Sequence, residues 1–182
     1  MAKLKKDLYY FDELAADRVI TFIERHITHV KGELAGQPFI LEEWQKEDII
    51  KPLFGMKSKE TNLRKFQTCY IELPRKNGKS SLSAGIALYL LFADGEKGAE
   101  VYSAAGDRQQ AGIVFDIAKS MALNDPSIQG NCKLFKNSIV HEKSNSFYKA
   151  ISAEASTAHG FNASGIIFDE LHVQPNRDLW DT

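Results

Sequence analysis

Cysteine is almost missing from this sequence: two of 182 residues, Cys69 and Cys132, stand far apart and without CxxC spacing. That excludes a disulfide framework and a cysteine-based zinc module, and it fits a reducing compartment. No apolar run approaches the roughly 18 residues that a membrane helix needs. The basic opening stretch, 1–7, is not followed by the apolar core of a secretory leader. A soluble, non-exported, cytosolic protein is expected, with no membrane partner. An excess of charge of one sign is missing as well, since 23 Lys and Arg against 24 Asp and Glu leave a net charge of −1. No global field draws the chain to nucleic acid, so any DNA contact must be a local patch. There is no internal repeat and no low-complexity tract.

What is present suffices for one core, with 43% hydrophobic residues in a chain of single-domain length. Leu14, Val19, Phe22, Ile23, Ile27 and Val30 recur at helical spacing behind a capping Asp12, and Gly32 ends that run. A second helix follows Pro38, carries Leu41, Trp44, Gln45, Asp48, Ile49 and Leu53, and closes near Gly55. Residues 66–73, aromatic and β-branched, read as a buried strand that stops at Pro74. An apolar helix spans 79–93, a strand 100–104, and a helix about 107–121. Short β-like pieces at 132–135, 139–141 and 147–151 suggest edge strands or a hairpin. The run Gly165-Ile166-Ile167-Phe168 reads as a strand buried on both faces, ending at Asp169-Glu170. This alternation predicts an α/β fold: a mostly parallel sheet covered by helices on both faces. Residues 1–60 form a helical N-terminal segment and 61–182 the core.

Gly78-Lys79-Ser80 falls where a strand turns into a helix, the place where free backbone N–H groups and the positive helix end converge on an anion. There Gly78 lets the backbone approach a phosphate, Lys79 reaches β- and γ-phosphate oxygens, and the Ser80 hydroxyl coordinates Mg²⁺. The standard loop carries a glycine five residues before Gly78, and this chain has Leu73 instead. The tripeptide also fits an ordinary helix start. Arg75 offers a guanidinium to the γ-phosphate, whereas Lys76 is expected to face solvent. Pro74, Asn77 and Ser81 complete the loop set. Asp169 and Glu170 lie at the carboxyl end of a strand, where open α/β sheets bind ligands. Asp169 would hold Mg²⁺, and Glu170 would orient and deprotonate the attacking water. Read alone, they are a charged strand end. Taken with Lys79, they point to hydrolysis of a nucleoside triphosphate.

The segments 73–80 (LPRKNGKS) and 165–172 (GIIFDELH) resemble the motifs of the large terminase subunits of tailed bacteriophages, including a glycine-poor phosphate loop with an arginine four residues before its lysine. Residues 39–45 (FILEEWQ) are similar to that family's adenine-side segment, and 104–111 (AAGDRQQA) to its second strand–helix turn. The resemblance covers most of the chain. It implies a P-loop ATPase fold, ATP with Mg²⁺, and Gln45 with Trp44 beside the adenine. The same two residues also fit a core anchor (Trp44) and a surface amide (Gln45). It also implies Arg108 as an arginine finger for a neighbouring subunit's nucleotide, although a helix-start salt bridge explains that residue equally.

The partners so implied are double-stranded viral DNA, the small terminase subunit, the portal protein and further copies in a ring, in the host bacterial cytoplasm. The family continues into a nuclease domain, which is not within these 182 residues, so the chain reads as a fragment ending at Thr182. Two other readings stay open here: a helicase-like nucleic-acid-dependent ATPase, and a nucleotide-binding remnant without turnover. His26 and His29 stand one helical turn apart with no accompanying ligand set, which reads as a packed or surface pair.

Overall fold

The computed structural model describes residues 8–74, 76–105, 108–152 and 162–170, apart from the side chains of 108–110 and 152. Strand β1 (Tyr9–Phe11) pairs antiparallel with β2 (Met56–Ser58), and between them lie helix α1 (Glu13–His26) and a π-helical segment, Gln45–Gly55. Asp12 caps α1 as its sequence position predicts, accepting the Ala15 N–H at 3.0 Å. The buried stripe of α1 is Ala15, Ala16, Val19 and Ile23, whereas Leu14 is 77% exposed. Complete burial of Val19 and Ile23 contributes about 1.5–3 kcal/mol each. The helix stops at His26, earlier than Gly32, because the chain beyond it turns extended and bridges Thr28 to Pro38.

Five strands form the main sheet in the order β4-β5-β6-β3-β7. They are β3 (Glu100–Ala105), β4 (Lys133–Leu134), β5 (Ser138–His141), β6 (Ser146–Ser152) and β7 (Ala163–Phe168). Strand β3 runs parallel to both β6 and β7, while β4-β5 and β5-β6 pair antiparallel. The sheet is therefore mixed, and the short β-like pieces make its antiparallel edge. Tight turns can join only antiparallel neighbours, and the connections among β4, β5 and β6 are that short.

Helix α2 (Lys79–Phe92) and helix α3 (Arg108–Asn124) pack against each other and against this sheet. Both lie on one face: a Cβ on Gly165 would sit 2.5 Å from Leu90 of α2, and Phe115 of α3 meets Tyr148 at 5.2 Å between rings. Gly165 and Tyr148 are the two cross-strand partners of Val101, so their side chains share its face. Helix α1 packs behind α2, with Ile23 and Ile27 against Gly85. No helix among the described residues is long and apolar enough to cross a membrane.

Two expected strands differ from expectation. Residues 66–73 join no ladder among the described residues, and Tyr70 is 72% exposed. Only Ile71 packs on the core. Strand propensity measures fit to a neighbouring pleated surface, and here no described strand supplies one. Among the described residues strand β7 is the sheet edge on that side, and Ile166 is 43% exposed rather than buried.

His26 and His29 hold structure. His26 Nδ1 lies 2.9 Å from Asp125, which caps the short helix α4 (Pro126–Gln129) by accepting the Ile128 N–H at 2.8 Å. His29 stacks on Phe39. Burial pushes the Asp125 carboxyl up, but hydrogen bonds from Ser127, the Ile128 N–H and His26 outweigh it and hold it below the usual carboxylate value. Its stabilising contribution is thus present above the ordinary Asp range and lost as pH falls through the lowered value. Asp125→Ala should cost about 1–2 kcal/mol near neutrality, with the difference from the unmodified protein shrinking in acid, as denaturant titrations at two pH values will read.

Candidate nucleotide site

The carboxyl ends of β3 and β7 and the amino end of α2 meet at one place. The Asp169 N–H donates to the Ala104 carbonyl at 3.3 Å, which continues the β3–β7 ladder one residue past β7 and fixes where the Asp169-Glu170 pair emerges. At Gly165 the Leu90 side chain of α2 packs directly on β7, where a Cβ would meet its end at 2.5 Å. Strand end and helix start are thereby held on one edge.

Gly78 is the N-cap of α2 with φ 75° and ψ 10°, a left-handed geometry that glycine adopts at no steric cost. Its carbonyl accepts the Leu82 N–H at 2.9 Å, so the first turn of α2 starts squarely at Lys79 with its leading N–H groups unspent by the helix. Lys76 is also left-handed, at φ 70°. Two side-chain bonds cross the loop: Asn77 Nδ2 to the Pro74 carbonyl at 3.1 Å and Lys79 Nζ to the Leu73 carbonyl at 3.0 Å.

Around this turn a cavity of about 430 Å³ is lined by Pro74, Lys76, Asn77, Gly78, Lys79, Ser80, Ser81 and Glu170, a size that suits a small ligand. Lys76, one of the expected loop residues, lines it while remaining exposed to solvent as its reading required. Asp169 is not among the lining residues. Burial pushes its carboxyl up and the Glu170 charge adds to that, while the Glu170 N–H and the Lys79 ammonium pull it down without cancelling the rise. The Lys79 effect places that cation within electrostatic reach of Asp169. Glu170 adopts φ 49°, and its N–H donates to Asp169 Oδ1 at 3.1 Å. Such left-handed non-glycine residues cluster where a site imposes them.

The structure thus brings together most of the residues singled out from the sequence. Trp44 and Gln45 are not in the cavity lining. Trp44 packs against the core. Gln45, only 4% exposed, accepts the Glu42 N–H on its amide oxygen at 2.9 Å, so it is a buried amide rather than a surface one. Arg75 lies outside the described residues, as does the side chain of Arg108, whose backbone opens α3. Sequence reasoning missed the left-handed turn at Lys76 and the Asn77 cross-tie. An asparagine next to a residue needing unusual backbone geometry was the available signal.

Oxygen donors suit a hard cation: Ser80 in the first turn of α2 and the half-buried carboxylate of Asp169 offer that donor set. Among the described residues no three or more His, Cys, Asp and Glu gather around a metal, so such an ion would complete its shell with ligand phosphates and water. Because the folded protein holds the Asp169 proton more tightly than the unfolded chain, this group's contribution to stability falls as pH rises from the ordinary value of 3.8 toward its raised one. Asp169→Asn, neutral throughout, should therefore raise the melting temperature near neutrality and leave it unchanged in strong acid. A lower melting temperature at pH 7 would contradict the burial argument.

The model of the terminase large subunit ATPase domain family matches residues 43–182. The large terminase subunit of Enterobacteria phage HK97 is 34% identical over 157 residues, 85% of this chain and 30% of that protein. The terminase large subunit of Lactococcus phage p2 is 28% identical over 175 residues, 92% of this chain and 32% of that protein. The crystal structure of the HK97 bacteriophage large terminase aligns with a TM-score of 0.76 at 32% identity, over 91% of this chain and 33% of that one. The chain spans about a third of the length of these relatives. These matches do not favour a helicase-like ATPase or a remnant without turnover. With its loop, strand end and cavity arranged as above, this chain belongs to the terminase large subunit ATPase domain family.

Proposed function

We propose that the chain is the ATP-hydrolysing part of a viral DNA-packaging motor, which couples Mg²⁺-dependent hydrolysis to translocation of double-stranded DNA into a procapsid. The observation that carries this reading is the single cavity joining the start of α2, from Gly78 to Ser81, to Glu170. Backbone N–H groups at that helix end receive the phosphates, and Lys79 exchanges the Leu73 carbonyl for β- and γ-phosphate oxygens. Ser80 and Asp169 are the residues that would hold Mg²⁺, which when bound neutralises charge on the phosphates. Glu170 orients the attacking water and takes its proton. Arg75 adds a guanidinium to the γ-phosphate, and Arg108 acts on a neighbouring subunit's nucleotide. Gln45, fixed in one orientation by its bond to Glu42, reads the adenine edge with Trp44 beside it.

The wider partners follow the same reading: viral duplex DNA gripped through its phosphate backbone, the small terminase subunit, the portal and a ring of identical subunits, in the host cytoplasm. The test is phosphate release from Mg·ATP with and without blunt duplex DNA. Release that requires Mg²⁺ and rises with DNA supports the motor reading. Release indifferent to duplex and raised by single strands only would favour a helicase-like enzyme instead.

A further inference from the structure

We infer that Asn77 is a positioning residue that holds this glycine-poor phosphate loop in its binding shape, by tying its own amide to the Pro74 carbonyl beside the left-handed Lys76. The inference rests on the nucleotide reading of the site and extends it to the question of how a loop without the customary glycines keeps its form.

The loop takes two left-handed residues, Lys76 at φ 70° and Gly78 at φ 75°. Gly78 has no Cβ to clash, and space around it is open. Lys76 does have one, and lysine is not among the residues, chiefly glycine, asparagine and aspartate, that visit this region readily. Something must hold it there. Asn77 Nδ2, on the residue next to Lys76, donates to the Pro74 carbonyl at 3.1 Å. The acceptor end is itself rigid, because the proline ring fixes the backbone angle that aims its carbonyl.

The second tie, Lys79 Nζ to the Leu73 carbonyl at 3.0 Å, uses the ammonium that the phosphates recruit, so it does not define the loaded loop. The Asn77 tie uses a side-chain donor and the carbonyl of a residue that has no N–H. It therefore spends none of the backbone N–H groups of 76–79 that an anion would need. Leu73, in the place of the first glycine, is tolerated because the turn is closed by a side chain and not by glycine flexibility.

The test measures the Kd of Mg·ATP, the melting temperature, and amide hydrogen exchange over 76–79 without nucleotide. It compares the unmodified chain with Asn77→Ala and Asn77→Asp, each alone and combined with Lys76→Asn. Losing one exposed hydrogen bond should raise Kd roughly 2- to 10-fold in Asn77→Ala. Asn77→Asp should do at least as badly, because a carboxylate cannot donate to a carbonyl. Exchange over 76–79 should quicken, while the melting temperature stays put because Asn77 is exposed. With Lys76→Asn, a residue at ease in the left-handed region, the loss on Asn77→Ala should shrink markedly.

An equal loss in both backgrounds means that Asn77 touches the nucleotide itself, which overturns the positioning role. Unchanged Kd and unchanged exchange overturn it as well. If the unmodified chain binds no Mg·ATP, the nucleotide reading falls, and the exchange rates still decide whether Asn77 shapes the loop.

Discussion

Lys79→Ala is expected to abolish ATP turnover and to weaken Mg·ATP binding by at least one to two orders of magnitude. Lys79 is the first residue of α2 and lines the cavity with an ammonium that already sits 3.0 Å from a carbonyl oxygen. It therefore has the reach and the donor geometry for phosphate oxygens. A charge-assisted hydrogen bond contributes about 1.5–3 kcal/mol, and alanine removes it together with the only described cation in electrostatic contact with Asp169. Burial and the Glu170 charge would then push the Asp169 carboxyl further up and weaken it as a cation ligand. The fold should survive, because Lys79 is half-exposed and packs no core residue. Isothermal titration with Mg·ATP reads the binding loss, and near-normal binding would remove the phosphate-loop assignment.

Glu170→Gln should separate binding from chemistry. The side chain lines the cavity beside the loop, and the amide matches it in shape but cannot accept a proton from water. Loss of a positioned general base lowers kcat roughly 10²- to 10⁴-fold. Binding should hold or tighten, since a negative charge leaves the neighbourhood of the phosphates. Loss of the Glu170 charge also removes one of the two effects that push the Asp169 carboxyl up. Single-turnover measurements should show ATP bound and unhydrolysed. Turnover close to that of the unmodified protein would move the base to another residue.

Much of this site was legible in the sequence because each part has a local cause. Gly78-Lys79-Ser80 precedes an apolar helical run, so the helix start was fixed by periodicity, and Asp169-Glu170 follow an apolar strand whose end the ladder confirms. The α/β alternation and the antiparallel edge pieces were equally local signals. What escaped depends on neighbours that periodicity does not reveal. Composition cannot say whether 66–73 has a strand beside it, and Tyr70 is exposed where a buried strand was expected. Nor did the apolar run at 165–168 announce that no described strand lies beyond β7, where Ile166 is exposed. The sheet is mixed because two short connections pair β4 with β5 and β5 with β6 antiparallel, while β6 and β7 both run parallel to β3. His26 and His29, read from the sequence as a packed or surface pair, have the structural partners Asp125 and Phe39.

The central claim is that the triphosphate lies at the start of α2, facing Glu170. A crystal structure with Mg²⁺ and a non-hydrolysable ATP analogue tests it most directly. The account predicts β- and γ-phosphates on the N–H groups from Gly78 to Ser81, with Lys79 Nζ on their oxygens, Ser80 and Asp169 at the metal, and the Glu170 carboxylate facing the γ-phosphate. An analogue bound elsewhere, with Lys79 still on the Leu73 carbonyl, would contradict it.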